Sequence, residues 1–270
     1  MKIGIIGLGV VGNAMYAYLK NKFNNTIGYD KYKNIGNIND ILDCNILFLC
    51  LPTLYSEELK EYDKSSIYQV CQYLSSYKYN GLVVIKSTVE PETCGYLVDH
   101  YNLKIIHNPE FLSAKSAVED FENQSHIVLG KTKNIDDISI QLLEKLYMTL
   151  FPEAIITILD SKESELMKIG VNTFYAIKVQ YFNELYLLSN KLGISYDNVK
   201  DTMLKNGWIN PMHTMIPGTD GKLSYGGTCF PKDTNALNQY LIKKELPHTI
   251  IESTINEQKK MRNESIDLYK

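Results

Sequence analysis

Short apolar runs alternate with longer stretches of helical period over the first 160 residues, and from residue 161 onward the helical period stands alone. Residues 2–6 (Lys-Ile-Gly-Ile-Ile) read as a buried strand. A helical pattern follows through Ala14, Met15, Tyr18 and Leu19, and residues 26–29 form a second strand ending at Asp30. Further strand patterns fall at 44–51, 82–85, 103–106, 126–129 and 154–159. Only thirteen residues lie between Asp30 and Cys44, so the crossover helix there is expected to shrink to about 39–42. Residues 56–79 are polar with apolar positions at Ile67, Val70 and Leu74, which predicts one helix. Strands alternating with helices predict an α/β fold, a doubly wound sheet of Rossmann type.

In the second part, Leu166, Ile169, Thr173, Ile177 and Leu185 lie near helical spacing, and no proline interrupts the run from Glu153 to Pro211. This predicts one long helix over 161–192. A second helix is expected at 196–206, then a Gly- and Pro-rich loop over 207–227, then helices at 231–244 and from 248 to the end. Two domains result, 1–160 and an all-helical 161–270. A helix of some thirty residues exceeds what one small domain needs to cover its core, so it is expected to form the interface of a homodimer.

Two stretches carry candidate chemistry. The first is Gly7-Leu8-Gly9-Val10-Val11-Gly12, placed after a strand and before a helix, with Asp30 eighteen residues past the last glycine. Gly7 suits the tight turn, Gly9 lets a pyrophosphate reach the backbone, and Gly12 lets helix and strand pack closely. The helix N-terminus attracts the phosphates, and an acid at the second strand's end bonds ribose hydroxyls while repelling a 2′-phosphate. The cofactor expected is NAD. The second stretch is Tyr225-Gly226-Gly227-Thr228-Cys229-Phe230-Pro231-Lys232-Asp233. A cysteine just ahead of a helix start, beside a lysine, is where a thiolate is stabilised. A reactive thiol beside a hydride acceptor suggests oxidation through a covalent thioester. Pro52-Thr53, Lys86-Ser87-Thr88 and His107-Asn108-Pro109-Glu110 follow the ends of three strands, which places Thr53, Thr88 and Glu110 on one rim. Lys168 and Asn172 are four apart and share a helix face.

Composition narrows the classes. A net charge of −3 and a pI near 6.0 imply no general attraction to nucleic acid or to an anionic membrane. Five widely spaced cysteines show neither a disulfide framework nor metal-ligand spacing, so no metal is expected, and they fit a reducing cytosol. No leader precedes the first strand pattern, and no apolar run is long enough to span a membrane. Twenty tyrosines read as compositional bias.

Taken together, Gly7 to Gly12, Pro52-Thr53, Lys86-Ser87-Thr88, Asn108-Pro109-Glu110-Phe111-Leu112, Lys168-x-x-x-Asn172 with Asn183-Glu184, and Gly226-Gly227-x-Cys229-Phe230-Pro231-Lys232-Asp233 resemble the UDP-glucose/GDP-mannose dehydrogenase family, in family order and across the whole chain. The resemblance implies a four-electron oxidation of a nucleotide sugar, UDP-glucose foremost, by two NAD. It implies Cys229 as nucleophile, Lys168 and Asn172 as oxyanion and water-holding groups, and Asp233 as the carboxylate that orients a water or base. Thr88 would bind water, and Glu110 would activate it for hydrolysis. It also implies cofactor contacts from Pro52, Thr53, Thr88 and Lys232, and substrate contacts from Phe111, Leu112, His213, Tyr225 and Gly226. Two departures stand out. Ala114, followed by Lys115, occupies the place of a second glutamate. The chain as given also stops where the family continues into a third, UDP-closing domain, which implies a weakened grip on the nucleotide. His213 stands near the place of an arginine that family members offer from a neighbouring subunit. The competing expectations are a non-catalytic NAD-binding dimer and a two-electron β-hydroxyacid-type dehydrogenase.

Overall fold

The computed structural model describes residues 1–263. The chain separates into two compact units: Met1–Leu54 with Tyr62–Lys168, and Tyr55–Glu61 with Ile169 onward.

In the first unit β1 (Ile3–Ile6) leads through α1 (Val10–Lys22) to β2 (Thr26–Tyr29). A single 3-10 segment, Ile38–Asp43, then connects to β3 (Ile46–Leu49). The expected one-helix stretch at 56–79 is corrected: it holds a short hairpin, β4 (Tyr55–Ser56) and β5 (Glu61–Tyr62), before α2 (Ser65–Ser76). Asp63 and Lys64 break the pattern ahead of α2, and the Asp63 carboxylate accepts the Ser65 N–H at 2.9 Å. Next come β6 (Leu82–Ile85), α3 (Thr93–Tyr101), β7 (Lys104–His107), α4 (Ala117–Glu122), β8 (His126–Lys131), α5 (Asp137–Leu150) and β9 (Ile155–Asp160). The strands pair in the order β2-β1-β3-β6-β7-β8-β9, parallel except for the antiparallel β7–β8 pair. This is the doubly wound Rossmann-type sheet, and its order reverses between β1 and β3, where such folds take their ligands.

Strands β1, β3 and β6 are buried on both faces, which is why they read as unbroken apolar runs. Alternate residues serve opposite layers. Ile3, Ile5, Phe48 and Val84 pack with Met15, Leu143 and Tyr147 of α1 and α5. Ile6, Leu47, Leu49 and Ile85 pack with Ile67, Leu74 and Leu97 of α2 and α3.

The helical part opens with α6 (Ser161–Leu192), which has the expected bounds. Its start is a reciprocal cap. The Asp160 carboxylate accepts the Lys162 N–H at 2.9 Å, and the Glu163 carboxylate accepts the Asp160 N–H at 2.8 Å. The helix runs from the first unit into the second, which continues with α7 (Tyr196–Leu204), α8 (Cys229–Lys243) and α9 (Thr249–Asn263). The part of the last expected helix beyond residue 263 lies outside the described residues. The β4 strand packs on α8 within this second unit, and Lys243 pairs with Glu61 at 2.6 Å. Among the described residues, no helix is long and apolar enough to cross a membrane.

Candidate active site

The glycine turn after β1 is built by contact rather than by preference alone. Gly7 has φ +86, and a Cβ there would lie 2.6 Å from the Cys50 carbonyl oxygen. A Cβ on Gly12 would fall 1.8 Å from the Gly7 oxygen, so α1 packs on the turn only through a glycine. Gly9 is different: nothing lies within 4 Å of its missing Cβ. That open face borders a cavity of about 580 Å³ lined by Gly9, Val10, Asn13, Lys33 and the Ala114–Ala117 stretch. The N-terminus of α1 has no side-chain cap, so its free N–H groups and positive dipole end are available to an anion there. A dinucleotide pyrophosphate fits this cradle.

Asp30 is more occupied than expected. Its carboxylate accepts N–H groups from Leu8 at 2.8 Å and from Tyr32 and Lys33 at 3.0 Å. Burial raises its pKa, but those three bonds and the Lys33 charge outweigh it and hold the group below its ordinary value. With about four lone-pair directions on a carboxylate, roughly one remains for a ribose hydroxyl. Lys33 was not anticipated. It follows the acid by three residues, and its Nζ donates to the Leu8 oxygen at 2.5 Å beside the cavity.

Of the three rim groups expected in the first unit, Thr53 and Thr88 meet directly, and Glu110 meets Lys168 instead. Thr53 Oγ1 donates to the Thr88 carbonyl at 2.7 Å, and both residues are buried. Ser87 Oγ donates to the Leu51 oxygen at 2.7 Å, fixing the peptide just before Pro52. Lys86 is buried, donates to Asn108 Oδ1 at 3.1 Å, and is pushed down to about 8 by its burial. Glu110 Oε2 accepts the Leu112 N–H at 2.6 Å. Lys168 Nζ donates to the Glu110 carbonyl at 2.5 Å, stands 3.6 Å from its carboxylate, and lies 5.0 Å over the Phe111 ring. Glu110, Phe111 and Lys168 thus form one cluster. One helical turn before Lys168, buried Glu165 accepts the Glu92 and Cys94 N–H groups at 2.8 and 2.7 Å. It caps α3 from outside, a role with no local sequence signal.

The second unit holds the thiol. Cys229 is exposed, whereas Cys44, Cys71 and Cys94 are buried and Cys50 is partly so. The structure moves the helix start forward by two residues: Cys229 is the first residue of α8, not a residue ahead of it, and Pro231 sits inside the first turn, where a missing N–H costs nothing. Asp233, one turn on, is fully buried and doubly held. Asn172 Nδ2 donates to its Oδ2 and Lys232 Nζ to its Oδ1, each at 2.5 Å. Phe230 lies tilted against Tyr175 and edge-on to His213, with ring centroids 6.3 and 5.3 Å apart. Burial and the Lys178 charge push the His213 pKa down. Tyr225 is buried and Gly226 partly so. Among the described residues, no cluster has the side chains to hold a metal ion.

The first unit thus offers a glycine cradle on a doubly wound sheet, and the second offers helices that carry a thiol, a buried carboxylate and an amide. The particular family follows from sequence comparison. The NAD binding domain of the UDP-glucose/GDP-mannose dehydrogenase family matches residues 29–151, and that family's central domain matches residues 162–259. The chain belongs to the UDP-glucose/GDP-mannose dehydrogenase family. It is similar to a UDP-glucose 6-dehydrogenase of Rickettsia bellii, 31% identical over 249 residues, which cover 81% of this chain and 54% of that protein. The chain therefore spans about half the length of the curated relatives it matches. Among solved structures, a UDP-glucose dehydrogenase of Pyrobaculum islandicum has the same fold at TM-score 0.83 and 22% identity, over 96% of this chain and 68% of that one. A 3-hydroxyisobutyrate dehydrogenase of Mycobacterium tuberculosis shares the fold at TM-score 0.74 and 14% identity, over 96% of this chain and 92% of that one.

Proposed function

We propose that the chain is an NAD-dependent oxidoreductase that converts the primary alcohol of a nucleotide sugar, UDP-glucose foremost, to a carboxylate through a thioester on Cys229. The observation that carries this reading is the Asn172–Asp233–Lys232 cluster one helical turn beyond an exposed cysteine at the start of α8. A simple alcohol dehydrogenase has no use for that thiol.

NAD, when bound in the Gly7 to Gly12 cradle, accepts a hydride from the sugar carbon in each of two oxidations. Pro52, Thr53, Thr88 and Lys232 add to its contacts. A water held by Asp233 takes the hydroxyl proton as the alcohol becomes an aldehyde. The Cys229 sulfur then adds to the aldehyde carbon, and the carbonyl oxygen takes up the thiol proton. Lys168 supplies a cation to the developing oxyanion, and Asn172, whose second N–H is not committed to Asp233, supplies a donor. In the second oxidation the adduct gives up a hydride and, to the water held by Asp233, its hydroxyl proton, which leaves a thioester. Water bound by Thr88 and activated by Glu110 attacks it, the carbon–sulfur bond breaks, and the acid leaves with the thiol restored. Phe111, Leu112, His213, Tyr225 and Gly226 line the substrate in this account.

The fold likeness to 3-hydroxyisobutyrate dehydrogenase favours a second reading, a two-electron oxidation that leaves Cys229 idle. Counting NADH per sugar across a panel of nucleotide sugars separates the readings: two for the proposed reaction, one for the second, none for a non-catalytic NAD-binding protein.

We also propose that the protein is a homodimer through α6. Phe174, Tyr181 and Leu188 are 60, 51 and 53% exposed at seven-residue spacing along one helix, a stripe suited to a second helix. Light scattering at twice the chain mass supports this, and the chain mass alone refutes it.

A further inference from the structure

Arg262 is the only arginine in the 270 residues, and all three nitrogens of its guanidinium are engaged at one place. Nη1 meets Asp220 Oδ2 at 2.6 Å, Nη2 donates to the Ser224 carbonyl at 2.8 Å, and Nε donates to the Tyr225 carbonyl at 3.1 Å. Gln258, one turn earlier on α9, donates to the same Tyr225 carbonyl at 3.2 Å. A Cβ on Gly226 would stand 2.5 Å from Nη2, so the glycine lets the guanidinium lie flat on the backbone.

The segment so held is backbone that would not hold itself. Ser224 has φ +57 and Gly227 has φ +75, the left-handed region on both sides of Gly226. Ser224 is further pinned from α6: its N–H donates to Asn183 Oδ1 at 2.8 Å, and its hydroxyl donates to Gln180 Oε1 at 2.6 Å. Two residues beyond Gly227 comes Cys229. Strained conformations persist only where the surroundings over-determine them, and here α6 and α9 do so from two sides.

We infer that Arg262 is a positioning residue for the Cys229 turn: its guanidinium braces residues 220–226 from α9 and thereby fixes where α8 begins and where the thiol is presented. The planar fork matters, because three acceptors in fixed directions suit a guanidinium and not an ammonium. The role rests on the proposed use of Cys229, so the test pairs a kinetic readout with one that needs no substrate. Hydrogen exchange of the amides at 224–229 is followed in Arg262→Ala and Arg262→Lys, together with NAD titration, kcat and KM. Both variants should exchange severalfold faster at 224–229. NAD affinity should fall far less than turnover, since the cradle belongs to the first unit and Lys232 alone reaches the cofactor from α8, while kcat falls by about a hundredfold, as small misplacements of a reacting group do. A small guanidinium compound should restore turnover to the alanine variant, and methylammonium should not. Asp220→Ala, which frees one arm only, should show a smaller change of the same sign and keeps the test open if Arg262→Ala fails to fold. Unchanged exchange and turnover in a folded Arg262→Ala, or equal rescue by methylammonium, would overturn the inference. A wild type that makes no NADH with any sugar would remove the dehydrogenase reading, and the exchange measurement would still decide the brace.

Discussion

Two buried titratable residues flank the first turns of α6 and pull in opposite directions. Burial raises Glu165 to about 7 from an ordinary 4.5, against the bonds from Cys94 and Glu92. Burial, with the nearby Lys86 and Lys168 charges, lowers His107 to about 3 from an ordinary 6.5. The His107 Nδ1 pairs with Ser164 Oγ at 2.8 Å, and its Nε2 is buried without a partner. Between pH 4.5 and 6.5 the folded protein holds a proton on Glu165 that the unfolded chain lacks, so acid favours folding there. Over the same range the unfolded chain holds a proton on His107 that the folded protein lacks, so acid disfavours folding. The two slopes cancel. Glu165→Gln should uncover the histidine, and its stability should fall relative to the wild type by about 1.4 kcal/mol per pH unit as pH drops from 6.5 to 4.5. Urea unfolding at several pH values measures this. Parallel curves for variant and wild type would show that Glu165 keeps its ordinary proton affinity in the folded protein.

At the scale of elements, what was legible in the sequence was what local pattern encodes. Strands β2 and β6 and helix α6 have the expected bounds, because β-branched runs and an unbroken helical period leave no alternative. Helices α3, α4 and α5 were not foreseen. The cap of α3 comes from Glu165, 71 residues from Cys94 along the chain, and Glu92 enters it with φ +79. By contrast α5 did carry a local sign, since the Asp136 side chain accepts the Ser139 N–H. The rim threonines and the glycine cradle were readable because motif and strand end coincide. The Arg262 brace and the Lys33 contact were not, since each joins residues whose partner is fixed only by folding. The Asp30 carboxylate ties the turn after β2, through the Tyr32 and Lys33 N–H groups, to the glycine turn, through the Leu8 N–H, and its remaining direction is the one proposed for a ribose hydroxyl. Asp30→Ala should therefore weaken NAD by ~1.5–3 kcal/mol and narrow the preference over NADP. Cofactor titrations with the same affinities and the same ratio would place the ribose acid elsewhere.

At the scale of the whole molecule, the proposed reaction takes nucleophilic attack from Cys229 of the second unit and release of the acid from Glu110 of the first. Glu110 falls within the match to the family's NAD binding domain, 29–151, and Cys229 within the match to its central domain, 162–259. If hydrolysis belongs to Glu110, blocking it must strand the intermediate on the thiol, because the groups that build the thioester remain. The direct measurement is the intact mass of Glu110→Gln after incubation with NAD and UDP-glucose, with peptide mapping of the modified residue. The expected result is an added mass equal to the nucleotide-sugar acyl group, confined to Cys229 and missing from Cys229→Ser, while the Glu110→Gln burst still yields NADH. Loss of turnover with no adduct on Cys229, or an unmodified Cys229→Ser that still makes the acid, would contradict it.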